Sequence, residues 1–139
     1  MKNTTRWYGW IALTLPLHMC EQMVFGIDEL ARLKRILAVY YHWFHQPDYG
    51  TVLLVTIIGT LFISLTYGIL RGGTPREISL AVWALIAISE VHHLIESLIA
   101  LRYTPGTVTA LLSFIFGILL MRAVMQERRE RLKTAAPTG

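Results

Sequence analysis

Two short stretches of this chain hold residues whose types and spacing suit chemistry. The first has His18 and Glu21, three apart, followed by Gln22; the second has Glu90 and His93, also three apart, with His92, Glu96 and Ser97 around them. Residues three or four apart share one face of a helix. His18–Glu21 and Glu90–His93–Ser97 are therefore expected to form two polar stripes, with Glu96 at the edge of the second and His92 on another face. Imidazole and carboxylate groups from two helices could converge on one point. The Glu-x-x-His spacing of Glu90 and His93 recurs in helical carboxylate-bridged di-iron sites. With Glu96 included, the set offers two His and three Glu, enough for one or two divalent ions. Nitrogen and oxygen donors without thiolate suit Zn, Fe or Mn. Without a metal, the same groups suit acid/base catalysis, a carboxylic acid giving a proton and a neutral imidazole accepting one.

The elements that must position these residues are apolar. The chain of 139 residues is 54% hydrophobic and 16% charged, where soluble domains carry about 25% charged residues. Four segments approach or exceed the roughly 20 residues needed to cross a bilayer: Trp7–Gly26, Thr51–Leu70, Ile78–Leu101 and Pro105–Met125. The expected fold is a single all-α membrane domain, a four-helix transmembrane bundle. Ionisable groups inside spans cost a few kcal/mol or more, and here they gather in spans one and three. At ~1.5 Å per residue, His18 lies roughly 16 Å along its helix from Trp7 and Glu90 roughly 18 Å from Ile78. Both spans run in the same direction, so the two stripes fall at one depth, just outside the midplane. The charges are there for each other, as a polar clasp between helices, or for something held between them.

Charge gives the orientation. Nine basic residues (Lys2, Arg6, Arg71, Arg76, Arg122, Arg128, Arg129, Arg131, Lys133) fall on the side of the termini, against four on the other (Arg32, Lys34, Arg35, Arg102). The positive-inside rule then places both termini in the cytoplasm, for a protein of a bacterial cytoplasmic (inner) membrane. The basic tail, residues 126–139, next to a membrane exit suits anionic headgroups rather than nucleic acid, with Glu127 and Glu130 on a solvated helix face. Lys2 and Arg6 ahead of an apolar run resemble a signal peptide, but a small-residue cleavage site is lacking, so the segment reads as a span. Cys20, the single cysteine, reads as a small buried hydrophobe.

Between spans one and two, Leu30, Leu33, Leu37 and the aromatic cluster from Tyr40 recur at helical spacing, with Arg32, Lys34 and Arg35 off that face. This pattern predicts an interfacial amphipathic helix over residues 28–45. Pro16 predicts a bend in span one, freeing the carbonyl of Ala12. Arg71–Glu77 and Tyr103–Gly106 predict tight turns, the second with Thr104 as N-cap and Pro105 opening span four.

His18 to Gln22, together with His92 to Leu112, resembles the HXXEE family of small membrane proteins, named for a His-x-x-Glu-Glu motif. In that family, further membrane histidines precede a Tyr-x-Pro-Gly turn. In this chain the motif is His18, Glu21 and Gln22, so an amide stands where the second carboxylate belongs. The resemblance implies a membrane enzyme with a His/Glu active site and leaves the substrate open.

The functional expectation is a membrane-embedded enzyme using His18, Glu21, Glu90 and His93, with Glu96 in support. Its substrate would be a lipophilic small molecule entering from the surrounding lipid. Two other classes stand beside it: a proton or metal-ion transport protein, and a small accessory subunit of a larger membrane complex, with His18 and His93 ligating haem or a pigment. A homo-oligomer is compatible with each.

Overall fold

The computed structural model describes residues 2–25, 38, 42 and 47–135. Every element among them is an α-helix: α1 (Lys2–Phe25), α2 (Pro47–Arg71), α3 (Gly73–Ser89), α4 (Val91–Ala100) and α5 (Thr107–Ala135). The interfacial helix expected over 28–45 lies, Ala38 and His42 aside, outside the described residues.

Two stretches, Gly73–Ala100 across α3 and α4 and Thr107–Thr134 in α5, are long and apolar enough to cross a membrane. Only 33% of the most apolar part of each is buried. The corresponding stretch of α2, Thr56–Arg71, is shorter. Large apolar side chains such as Leu13, Leu17, Ile57, Ile63, Leu98 and Ile115 are exposed.

α5 is the centre of the packing, with α3 and α1 against it and α2 against α3. Ile11, Leu80, Trp83, Ala84, Ala87, Leu120 and Val124 form the core between them. Small residues allow close approach, as at many membrane helix contacts. A Cβ on Gly117 would lie 3.0 Å from the Ala84 carbonyl oxygen, and one on Gly68 would lie 2.1 Å from Ser79 Oγ. At one end of the bundle, Arg76 pairs with Glu127 and donates to Thr4 Oγ1 at 2.8 Å, while the Thr4 hydroxyl donates to Glu127 at 2.9 Å. Arg131 joins Glu77 at 2.8 Å and Thr74 at 3.0 Å. Glu127, expected on a solvated face, instead ties α5 to α1 and α3.

The third apolar segment is not one helix. α3 stops at Ser89 and α4 starts at Val91, with Glu90 at the junction (φ −63°, ψ −8°). Side chains compete for the backbone here. In an unbroken helix the Ser89 carbonyl would accept from the His93 N–H. It accepts instead from His92 Nδ1 at 2.8 Å, and the His93 N–H turns to the Glu90 carbonyl at 3.1 Å. The Ser89 hydroxyl takes the Ile86 carbonyl at 2.7 Å.

α4 ends on Leu101 in the left-handed region (φ 49°), closed by Arg102 N–H to the Ser97 carbonyl and the Ser97 hydroxyl to the Arg102 carbonyl. Ser97, expected on the polar stripe, serves this turn. α5 begins two residues later than expected. The carbonyl of Gly106 accepts its first helical bond, from Ala110 N–H at 2.8 Å, and Thr104 caps the turn through Thr107.

Candidate functional site

The site lies where the C-terminal part of α1 meets the Glu90 junction and the first turn of α5. Glu21 faces α5. Its carboxylate accepts from Tyr103 Oη at 2.5 Å, from Thr109 N–H at 2.9 Å, from Thr109 Oγ1 at 2.5 Å and from Val108 N–H at 3.3 Å. The first N–H groups of a helix have no intrahelical partner and carry partial positive charge. Glu21 therefore caps α5 from a neighbouring helix. Across this contact the Glu21 carboxylate pushes the Tyr103 phenol up from its ordinary 10.0, because the hydrogen bond needs the proton.

Thr109 passes the constraint on. Its hydroxyl hydrogen is committed to Glu21, so its oxygen accepts from His18 Nδ1–H at 2.8 Å. That fixes the tautomer of a neutral His18 and leaves Nε2 as a bare lone pair. His18 is only 3% exposed. The turn before α5 is shaped around it: Gly106 holds φ +95°, and a Cβ there would sit 2.7 Å from His18 Cε1.

His18 Nε2 points at the junction. Glu90 Oε2 is 3.2 Å from it and 3.6 Å from His93 Nε2. The two imidazoles meet edge to face with centroids 4.8 Å apart. His18, Glu90 and His93 each offer a ligand atom, and all three atoms lie within 4.8 Å of one another. Gln22, one turn after His18, reaches the same place: its Nε2 is 3.1 Å from His18 Nε2 and 3.1 Å from His93 Nε2.

Three of the four central candidates thus come together, and Glu21 braces them from outside. Glu96 is not part of the three-donor group. His92 is exposed, its ring 4.0 Å from that of His93, and it serves the helix break. Cys20, expected to be buried, is exposed, because it projects from α1 on another side from His18. Tyr103, Thr109 and Gly106 shape the cluster although helical spacing did not single them out; their signal was the Tyr-x-Pro-Gly turn followed by two threonines in the first turn of the next helix. Gln22, noted as the motif's departure, reaches the cluster as well.

A cavity of about 510 Å³ opens beside the cluster, lined by His18 and Glu90 at one end and by Tyr8, Phe62 and Trp83 further along, with Ala12, Pro16 and Thr66 between. It lies between α1, α2 and α3. The indole N–H of Trp83 is buried without a hydrogen-bond partner among the described residues.

The chain belongs to the family described as proteins of unknown function with an HXXEE motif, whose model matches residues 7–121. The match runs through the segment between α1 and α4 as well as through the motif and the turn. Neither a curated protein nor a solved structure matches the chain.

Proposed function

We propose that this member of the HXXEE family is an integral membrane enzyme that acts on a lipophilic substrate at the His18–Glu90–His93 cluster. In this reading α1, α2, the α3–α4 pair and α5 cross the membrane four times, with both termini in the cytoplasm, on the nine-to-four division of basic residues. The observation that carries it is the sharing of His18 and Glu90 between a cluster of reactive donors and an apolar cavity. Polar groups this far along apolar helices are costly, and a purely structural clasp needs no cavity beside it.

The cavity's size and lining suit the substrate class. Its volume falls within the range of small-molecule sites. The tail of an acyl, isoprenoid or sterol-like compound would lie along Phe62 and Trp83, with its reacting group at His18 and Glu90. The arrangement favours this over a haem ligand pair, because the two ring centroids lie only 4.8 Å apart, too close for a macrocycle to lie between the imidazoles.

The test is turnover of a panel of acyl, isoprenoid and sterol esters by detergent-purified protein. Product formation should be lost in His18→Ala, His93→Ala and Glu90→Gln, and in Ala12→Trp, which fills the cavity away from the cluster. Turnover that survives both Glu90→Gln and Ala12→Trp overturns the reading.

A further inference from the structure

We infer that His18 Nε2, His93 Nε2 and the Glu90 carboxylate hold one zinc-class divalent ion, that Gln22 stands at its fourth position, and that Glu21 is no ligand but a positioning residue acting on His18 through Thr109. The inference deepens the enzyme reading and rests on it for its catalytic meaning.

The hydrogen bonds carry the assignment. Glu21 is an acceptor on all sides, so the Thr109 hydroxyl must donate to it and can only accept from His18 Nδ1. In a neutral His18, Nε2 is then the lone pair, and it points at the Glu90 carboxylate 3.2 Å away. His93 Nε2 points at the same carboxylate oxygen from 3.6 Å. Two imidazole nitrogens and a carboxylate on one small volume call for positive charge among them. A proton on His18 Nε2 would satisfy the Glu90 contact, with the Gln22 N–H turned to His93 Nε2; a divalent cation would take all three donors directly. Gln22 stands in part for that charge, its amide within 3.1 Å of both imidazole nitrogens. An amide turned end for end presents its carbonyl oxygen instead, a neutral fourth donor on the same spot.

The donor set also says what kind of site this is. Zinc is held tetrahedrally by nitrogen and oxygen donors, and catalytic sites keep two His and one Glu, or a similar trio, with the fourth position exchangeable. Gln22 is a weak, neutral occupant of that position. The family's motif has a carboxylate there, which would close the site more firmly. His18 bound through Nε2 and braced at Nδ1 by a carboxylate-anchored hydroxyl has the outer-shell support that metal-ligating histidines usually show. Gly106 belongs to the same construction, since it admits the His18 ring to the place where Thr109 and Glu90 both reach it.

Zinc titration of the detergent-purified, metal-stripped full chain tests this, with the cobalt(II) spectrum reporting four-coordinate geometry. Wild type should take up one zinc per chain, and His18→Ala, His93→Ala and Glu90→Gln should lose it. Thr109→Val should weaken zinc binding about 10–100-fold, with Thr109→Ser restoring it and thermal unfolding reporting that both are folded. Glu96→Gln and His92→Ala should bind as wild type does, and Gln22→Glu should bind more tightly. The assignment is overturned if wild type binds no zinc, if Glu90→Gln binds as well as wild type, if Glu96→Gln costs as much as Glu90→Gln, or if Thr109→Val matches Thr109→Ser. Zinc binding needs no substrate, and Ala12→Trp should leave it intact. Failure of the metal site and failure of the enzyme reading therefore give different results.

Discussion

Gly106→Ala is the sharpest single-atom probe of how the site is held, because it adds one methyl group against His18. Two costs arise. Gly106 sits at φ +95°, where an L side chain is strained by about 1–3 kcal/mol. The new Cβ would also lie 2.7 Å from His18 Cε1, where ordinary contact begins at 3.4 Å. The ring must retreat by about 0.7 Å, yet Thr109, Gln22 and Glu90 fix it on other sides. At least one of those hydrogen bonds breaks, adding about 0.5–1.5 kcal/mol. A His18→Ala background isolates the first cost, since it removes the ring that the new methyl meets. Unfolding in detergent should therefore find Gly106→Ala more destabilising in the native background than in His18→Ala by about 1 kcal/mol, as a double-mutant cycle would report. Equal costs in the two backgrounds refute the reasoning.

Three further outcomes can be measured. Arg76→Ala should destabilise the bundle by about 1–3 kcal/mol, because it removes the cation that pairs with Glu127 and donates to Thr4, and Glu127→Gln should cost less; equal unfolding curves for all three proteins would mean the clasp contributes nothing. The Tyr103 phenol should ionise above 10.0. Its contact with Glu21 should stabilise fully below that value and be lost as pH rises through the raised one, with Glu21→Gln bringing the phenolate absorbance midpoint back down. Reporter fusions after Gly139 and within residues 36–48 should report opposite sides of the membrane; fusions on the same side would remove the proposed four-crossing topology.

Much of the site was legible because its cost is visible: carboxylates and imidazoles in apolar helices have few reasons to be there. Helical spacing put His18 and Glu90–His93 on facing stripes, and the structure brings those three together. Spacing also enrolled Glu21 and Glu96, and there it ran out. Glu21 is one turn from His18, but its partners, Tyr103 and Thr109, lie more than eighty residues away, and nothing local announces a carboxylate capping another helix. The break at Glu90 was hidden for a related reason. An apolar run reads as one helix unless Pro or Gly interrupts it, whereas here the interruption comes from His92 and Ser89 taking carbonyls through their side chains. The helical composition of the chain was plain from its apolar segments, since none carries the period-two alternation of a strand.

The adjacency of positions 21 and 22 has a geometric meaning that leads to a last experiment. At about 100° of rotation per residue, neighbours on a helix point to different partners. From α1, position 22 lies over His18 and reaches His93 on α4, while position 21 turns to the first turn of α5. One motif thus addresses two helices: its first acidic position fastens α1 to α5, and its second enters the cluster. The two positions are therefore not interchangeable, although they are neighbours of similar shape. The double variant Glu21→Gln/Gln22→Glu keeps composition and net charge and moves one carboxylate by one residue. It should lose the charged cap on α5, costing about 0.5–2 kcal/mol of stability, and lower the Tyr103 midpoint at the same time. Gln22→Glu alone, which keeps the cap, should leave the Tyr103 midpoint unchanged, and the double variant should be less stable than it by the cost of the lost cap. If the swapped protein unfolds like wild type and Tyr103 titrates as before, Glu21 is not the brace between α1 and α5, and the division of labour within the motif is wrong.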